Sequence, residues 1–279
     1  MRRLCLTLLL ALALPAAALA DTLAGIQERG TVRLGVRTDA TAFSYENELG
    51  EPAGYTVELC RAIAADLKHH LDLADLTVEY VEVTTQDRFD AVTEGRIDLL
   101  CGATTVTLAR RAVVDFSVPI FHTGMGVLFR ADGPGSFTEL AGRTIGMRLG
   151  TTTEDVLERA LTDAGLQATF VGLDSHQDGV EALLDGSIDA YFADRAILLF
   201  LQVASDEPQQ LRVSDRLFSH EPYALAMPLG DTDFRLAVDS AISRIFRSQL
   251  LERIYAASFG DSQPGDVLRA VFLLSTLPD

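Results

Sequence analysis

Residues Asp87 to Thr105 read "DRFDAVTEGRIDLLCGATT", and residues Asp178 to Ala196 read "DGVEALLDGSIDAYFADRA". Both contain D-x-x-x-A-x-x-x-G-x-I-D: Asp87, Ala91, Gly95, Ile97 and Asp98 match Asp178, Ala182, Gly186, Ile188 and Asp189. Each copy predicts a short amphipathic helix that a glycine ends, followed by an apolar run of strand length. In the first, Phe89 and Val92 mark the helix and Ile97 to Cys101 the strand. In the second, Val180, Leu183 and Leu184 lead to Gly186 and then "IDAYFA". Strands that are apolar throughout predict a mostly parallel sheet covered on both faces.

The flanking sequence repeats in the same order. "TVRLGVR" (31–37), "YTVELCRAIAADLKHHL" (55–71) and "LTVEYVEV" (76–83) read as strand, helix and strand before the first copy. "TIGMRL" (144–149), "TTEDVLERALTDA" (152–164) and "ATFVGL" (168–173) do so before the second. Strands alternating with helices imply right-handed parallel units, so the fold class is α/β with two βαβαβ lobes. "YALAMPL" (223–229) is a further strand, followed by helices over 233–246 and 249–259 that should return to the first lobe. The expected organisation is a discontinuous first lobe, 21–125 with 224–279, and a second lobe, 126–223. The crossings fall near Gly124–Val127 and Glu221–Leu225, and residues 261–279 read as a turn and a short apolar tail.

Open parallel α/β sheets bind ligands beyond the carboxyl ends of their strands. There the two copies diverge: "CGATT" follows one strand and "ADRA" the other. The shared part is scaffold, and the part that differs should face a cleft between the lobes.

Residues 1–20 carry Arg2 and Arg3, an apolar stretch from Leu4 to Leu14, and Ala18-Leu19-Ala20 before Asp21. This is the layout of a secretory signal peptide cleaved after Ala20, too short to span a bilayer. The mature chain is expected in the periplasm, without direct membrane insertion. The formal net charge is −17 over 279 residues, a field that repels nucleic acid and anionic lipid. Without Cys5, an even pair remains, Cys60 and Cys101; export favours a disulfide, with two buried thiols as the alternative.

In so acidic a chain, arginines at strand ends stand out. Arg37, Arg88 and Arg110 are placed to converge on an anion, whose carboxylate geometry suits guanidinium forks. Asp194 ends the second repeated strand and is either a helix cap or the partner of a ligand ammonium. Thr151 and Glu154 fit a capping box, at a helix start that also suits anions. His176 is a lone histidine at a helix start, and Ala103 and Thr105 offer backbone and hydroxyl groups beside Arg110. No G-x-S-x-G, H-E-x-x-H or phosphate-loop pattern is present, and adjacent His69 and His70 do not share a helix face.

"GYTVELCRAIA", "TTQDRFDAVTEGRIDLLCGATTVTLARRAVVDFSVPIF", "GTTTEDVL" and "GSIDAYFADRAIL" resemble the polar-amino-acid-binding proteins of ABC importers, solute-binding family 3, and among them the glutamate/aspartate binders. The resemblance spans about residues 27 to 260. It implies the two-lobed periplasmic-binding-protein fold, an amino acid held between the lobes, a membrane permease as partner, a monomer, no cofactor, no metal and no catalysis. It implies Arg110 for the ligand α-carboxylate and Asp194 for its ammonium. Arg37 and Arg88 are implied for a side-chain carboxylate, with Thr85, Thr105, Thr151 and His176 as hydrogen-bonding positions. Ala103 stands where serine is common, Arg148 where threonine or lysine is usual, and "IYAASFG" lacks the usual tryptophan; Ala103 and Arg148 bear on ligand choice. Rivals are a cyclic-carboxylate dehydratase on this fold, with Glu221 or His176 as proton donor, and a ligand-binding module for a separate receptor.

Overall fold

The computed structural model describes residues 21–278, and the expected signal segment lies outside them. Asp21 accepts a hydrogen bond from the Ala24 N–H and so caps α1 (Thr22–Arg29), a helix the sequence reading leaves unassigned. The first lobe then runs β1 (Thr31–Val36), a small three-stranded ribbon β2 (Asp39–Ala40), β3 (Ser44–Glu46) and β4 (Pro52–Ala53), and α2 (Tyr55–His70). It continues through β5 (Thr77–Glu82), α3 (Arg88–Thr93), β6 (Leu99–Leu100) and β7 (Val114–Phe116). One crossing strand, β8 (Phe121–Thr123), leads to the second lobe: β9 (Met125–Arg130), β10 (Thr144–Arg148), α4 (Thr153–Asp163), β11 (Thr169–Leu173), α5 (His176–Leu184), β12 (Ala190–Asp194), α6 (Arg195–Ala204) and β13 (Leu211–Val213). The chain returns through β14 (Glu221–Tyr223) to β15 (Ala226–Pro228), α7 (Thr232–Phe246), α8 (Gln249–Phe259) and α9 (Asp266–Leu274).

Each lobe is built on a five-stranded sheet, ordered β5-β1-β6-β15-β7 and β11-β10-β12-β9-β13. In the first, β1 runs parallel to β5 and β6, while β15 is antiparallel to β6 and β7. In the second, β10 runs parallel to β11 and β12, while β9 is antiparallel to β12 and β13. The antiparallel strand beside each repeated strand is the one that arrives from the other lobe. It enters at the carboxyl ends of the parallel strands and must therefore run against them.

The repeated residues hold the same places in both lobes. A Cβ on Gly35 would lie 2.4 Å from Ile97 Cδ1, and one on Gly146 would lie 2.5 Å from Ile188 Cδ1. Each isoleucine thus fills the space that a glycine leaves on the strand beside the repeated one, β1 or β10. Asp98 Oδ2 accepts from the Arg33 N–H at 2.8 Å, and Asp189 Oδ2 from the Thr144 N–H at 2.9 Å. Gly95 and Gly186 take left-handed φ values of 66° and 82°, which end each helix and turn the chain toward its strand.

Cys60 of α2 and Cys101, just past β6, form a disulfide with Cα atoms 6.2 Å apart. β8 and β14 pair antiparallel as a two-stranded ribbon between the lobes. The first crossing strand lies upstream of the expected Gly124–Val127, because Met125 to Arg130 already belong to the second sheet. Phe121 and Tyr223 of this ribbon pack on Phe43, and Phe121 also stacks on Phe259 of the "IYAASFG" helix end. The ribbon is thereby anchored in the first lobe's aromatic core. The expected apolar tail is helical: α9 buries Leu268 and Phe272, and the Phe272 ring sits 5.1 Å from that of Phe246.

Candidate ligand-binding site

Strand ends from both sheets meet across a cleft lined by Arg37, Arg88, Ala103, Thr105, Arg110, Thr151, Thr152, His176 and Asp194. Eight of these nine are residues the sequence singled out; Thr152 is an addition, as are Thr153, Ala193 and Ile197, which complete the lining. Thr85 and Arg148 do not line the cleft and instead tie the lobes together behind it. Thr85 Oγ1 shares its one hydrogen between the Leu149 carbonyl at 2.8 Å and Gln86 Oε1 at 2.7 Å, and Arg148 Nε donates to Asp39 Oδ2 at 2.8 Å. A third tie runs from Arg88 Nη2 to the Gly150 carbonyl at 3.2 Å. The lobes are closed on each other in this structure.

Arg88 opens α3 and is 2% exposed. Burial, with the Arg37 and Arg110 cations beside it, disfavours its charged form. Its Nε has no hydrogen-bond partner. Arg110 begins a single 3-10 turn, donates from Nη1 to the Thr105 carbonyl at 2.8 Å, and lies 5.2 Å over the Phe89 ring. Burial lowers its pKa against the pull of Glu221 and Asp194. Both guanidinium groups lack a directly bound carboxylate among the described residues.

Asp194 sits at the end of β12, where α6 begins, yet its side chain makes no cap hydrogen bond. Oδ2 accepts from the Tyr223 hydroxyl, and Oδ1 is buried without a partner. Burial first, and then Glu221, push its carboxyl up to about 7. Glu221, on the crossing ribbon, is 2% exposed and accepts from Thr105 Oγ1 at 2.5 Å, Thr152 Oγ1 at 2.8 Å and Ser219 Oγ at 2.8 Å. His176 Nδ1 pairs with the Tyr191 hydroxyl at 2.8 Å, and burial pushes the imidazole down to about 3, so the ring is neutral.

Two details depart from the local sequence reading. The capping box does not form: α4 starts at Thr153, and Thr151 Oγ1 donates to the Arg148 carbonyl while accepting weakly from the Thr153 N–H at 3.3 Å. Arg37 is not free. Its Nε and Nη2 reach Asp39 Oδ1 at 2.9 and 2.6 Å. Asp39 was missed because "RTDATAF" reads as an ordinary loop, and its second partner, Arg148, stands 109 positions away.

A buried donor on one lobe facing a buried acceptor on the other, joined by two crossing strands, defines a clamp for a small zwitterion with an acidic and a basic end. The chain belongs to the bacterial extracellular solute-binding proteins, family 3, whose pattern matches residues 32–261. It is 32% identical over 275 residues to an L-glutamate/L-aspartate-binding protein of Pseudomonas aeruginosa, covering 96% of this chain and 91% of that protein. Among solved structures it resembles the solute receptor for L-cysteine of Neisseria gonorrhoeae, with TM-score 0.75 and 26% identity, covering 88% of this chain and 98% of that one. It also resembles an ancestral amino-acid-binding protein described as a precursor of cyclohexadienyl dehydratase, with TM-score 0.75 and 26% identity over 86% of this chain and all of that one. These proteins share the two-lobed periplasmic-binding-protein fold with this chain. No helix among the described residues is long and apolar enough to cross a membrane.

Proposed function

We propose that this protein captures glutamate or aspartate between its lobes and delivers it to the membrane permease of an ABC importer, acting as an exported, monomeric, non-enzymatic binding protein. Arg110 takes the α-carboxylate, Asp194 the ammonium through Oδ1, and Arg88 the side-chain carboxylate through Nε. Thr105, Thr151, Thr152 and the neutral His176 complete the polar lining. The observation that carries the reading is the charge of the closed cleft. Arg37, Arg88, Arg110 and Asp194 line it, and Arg148, Asp39 and Glu221 lie against that lining; the four arginines and three carboxylates leave an excess of one cation in and around the cleft. A neutral amino acid leaves that excess buried and unpaired, whereas an acidic one cancels it, and an unpaired buried charge is costly. The Pseudomonas relative, named for binding these two amino acids, adds support.

The dehydratase alternative needs a proton donor. His176 is neutral and bonded to Tyr191, and the Glu221 oxygens already accept three hydroxyl hydrogen bonds. Both are occupied by structural roles. Calorimetric titration of the ligand-free protein should give tight binding of glutamate or aspartate, with glutamine weaker by at least tenfold. Glutamine or another neutral amino acid binding as tightly would overturn the acidic assignment. Binding of dicarboxylates in preference to any amino acid would overturn the role given to Asp194.

A further inference from the structure

Among the described residues, Asp39 is the one carboxylate beside the cleft held by guanidinium groups of both lobes. Arg37, 2% exposed, directs Nε and Nη2 to Oδ1, and Arg148, 6% exposed, reaches Oδ2 from the second lobe. Burial by itself would raise the Asp39 carboxyl, but Arg37 and Arg148 outweigh it and hold the group at about 2. The carboxyl is therefore ionised at neutral pH. Of the three arginines that line the cleft, Arg37 thus meets a carboxylate that the protein itself supplies, as does Arg148 behind it, and Arg88 and Arg110 are left for the ligand.

We infer that Asp39 is a specificity-determining residue: a built-in carboxylate that satisfies Arg37 and Arg148, so that the closed cleft accepts one negative charge beyond the amino-acid zwitterion and rejects two. The inference rests on the acidic-amino-acid reading and says which acidic amino acids that site admits. It also reassigns Arg37, which acts as part of this internal pair and not as the principal reader of the ligand side chain.

The Asp39–Arg148 pair crosses between lobes, so it also favours closure. The two roles separate experimentally. A closure contact changes the population of the binding-competent state and so scales every ligand's affinity by the same factor. A charge-matching group changes the ranking of ligands that differ in charge.

Asp39→Asn keeps the side chain's shape and removes its charge. Wild type and variant are titrated at one ionic strength with glutamine, glutamate and γ-carboxyglutamate, which carry zero, one and two side-chain carboxylates. Wild type should prefer glutamate to both others. In Asp39→Asn the affinity ratio of γ-carboxyglutamate to glutamate should rise at least tenfold. A ratio that stays within twofold of wild type overturns the proposal, whether the affinities persist or fall together. So does γ-carboxyglutamate that binds neither protein, or that already outcompetes glutamate on wild type.

Should Asp39→Asn not fold, Arg148→Gln tests the same charge count from the other side. It removes one cation and should lower the glutamate-to-glutamine ratio at least tenfold, and an unchanged ratio overturns the proposal. The underlying function fails separately: wild type that prefers glutamine to glutamate rejects the acidic reading. Wild type that prefers glutamate, with ratios unmoved in the variants, rejects only the role of Asp39.

Discussion

Asp194 is where binding and stability oppose each other. Burial raises its carboxyl from the ordinary 3.8 to about 7, above its value in the unfolded chain. Between about pH 4 and 7 the folded state therefore holds a proton that the unfolded state has released, and stability falls as pH rises through that window. Ligand binding runs the other way, because the ammonium needs the ionised carboxylate. Below about pH 7, capture must first expel the proton, so affinity should fall by up to tenfold for each pH unit. His176, pushed down to about 3, does not titrate in that range and cannot supply the slope. Titrations between about pH 5 and 8, in buffers of different ionisation enthalpy, should register proton release on binding. Asp194→Asn should abolish the pH slope, bind amino acids far more weakly, and raise the melting temperature of the ligand-free protein at pH 8 by about 5 °C. A wild-type affinity that is flat across this range would contradict the assignment. The position of Asp194 was legible as the end of an apolar strand. Its unpartnered Oδ1 was not, because that depends on Tyr223 and Glu221 folding over it from the crossing ribbon.

At the scale of elements, the repeated helix–strand unit was readable because its signals are local. Apolar spacing marks the helix, glycine its end, and an isoleucine and aspartate the start of the strand. What spacing could not tell is why the aspartate recurs. Asp98 and Asp189 each accept the N–H of a residue on the neighbouring parallel strand, Arg33 and Thr144, and so fix the register of β6 against β1 and β12 against β10. Asp98 is more deeply buried and also binds the guanidinium groups of Arg29 and Arg33. Replacing either aspartate by alanine leaves a strand N–H without its acceptor, a cost of about 1–3 kcal/mol. Asp98→Ala should lie at the upper end and Asp189→Ala, which is half-buried, at the lower. Urea unfolding measures both, and the order of ligand affinities should be unchanged, because neither aspartate reaches the cleft. Equal and negligible losses would reduce the repeated aspartates to surface decoration. The antiparallel strand beside each repeat escaped the parallel reading for a related reason. β9 and β15 owe their direction to the crossing between lobes, a long-range property that no window of sequence contains.

For the whole molecule, affinity is set by how readily two lobes close as well as by what the cleft contains. The closed form carries contacts that involve no cleft-lining atom, among them Thr85 Oγ1 to the Leu149 carbonyl and the Phe200 ring of α6 at 5.4 Å from Phe259 of α8. Those that form on closing act on the closing equilibrium, and the apparent dissociation constant varies inversely with the closed fraction. The resemblance implied a ligand contact for Thr85, but its hydroxyl lies between Gln86 Oε1 of its own lobe and the Leu149 carbonyl of the other and does not line the cleft, which assigns it to closure. Thr85→Val preserves shape, removes the hydroxyl and leaves the Leu149 carbonyl unpaired on closing. One hydrogen bond of about 1 kcal/mol then corresponds to a roughly fivefold loss of affinity. Because the loss arises in closing and not in recognition, glutamate and aspartate should weaken by the same factor. X-ray scattering should show the variant more open than wild type at equal, subsaturating ligand and equally compact at saturation. A loss confined to one ligand would return Thr85 to the binding surface. No loss for either would mean that the lobes close without its help, held by other contacts, Arg88 to Gly150 and Arg148 to Asp39 among them.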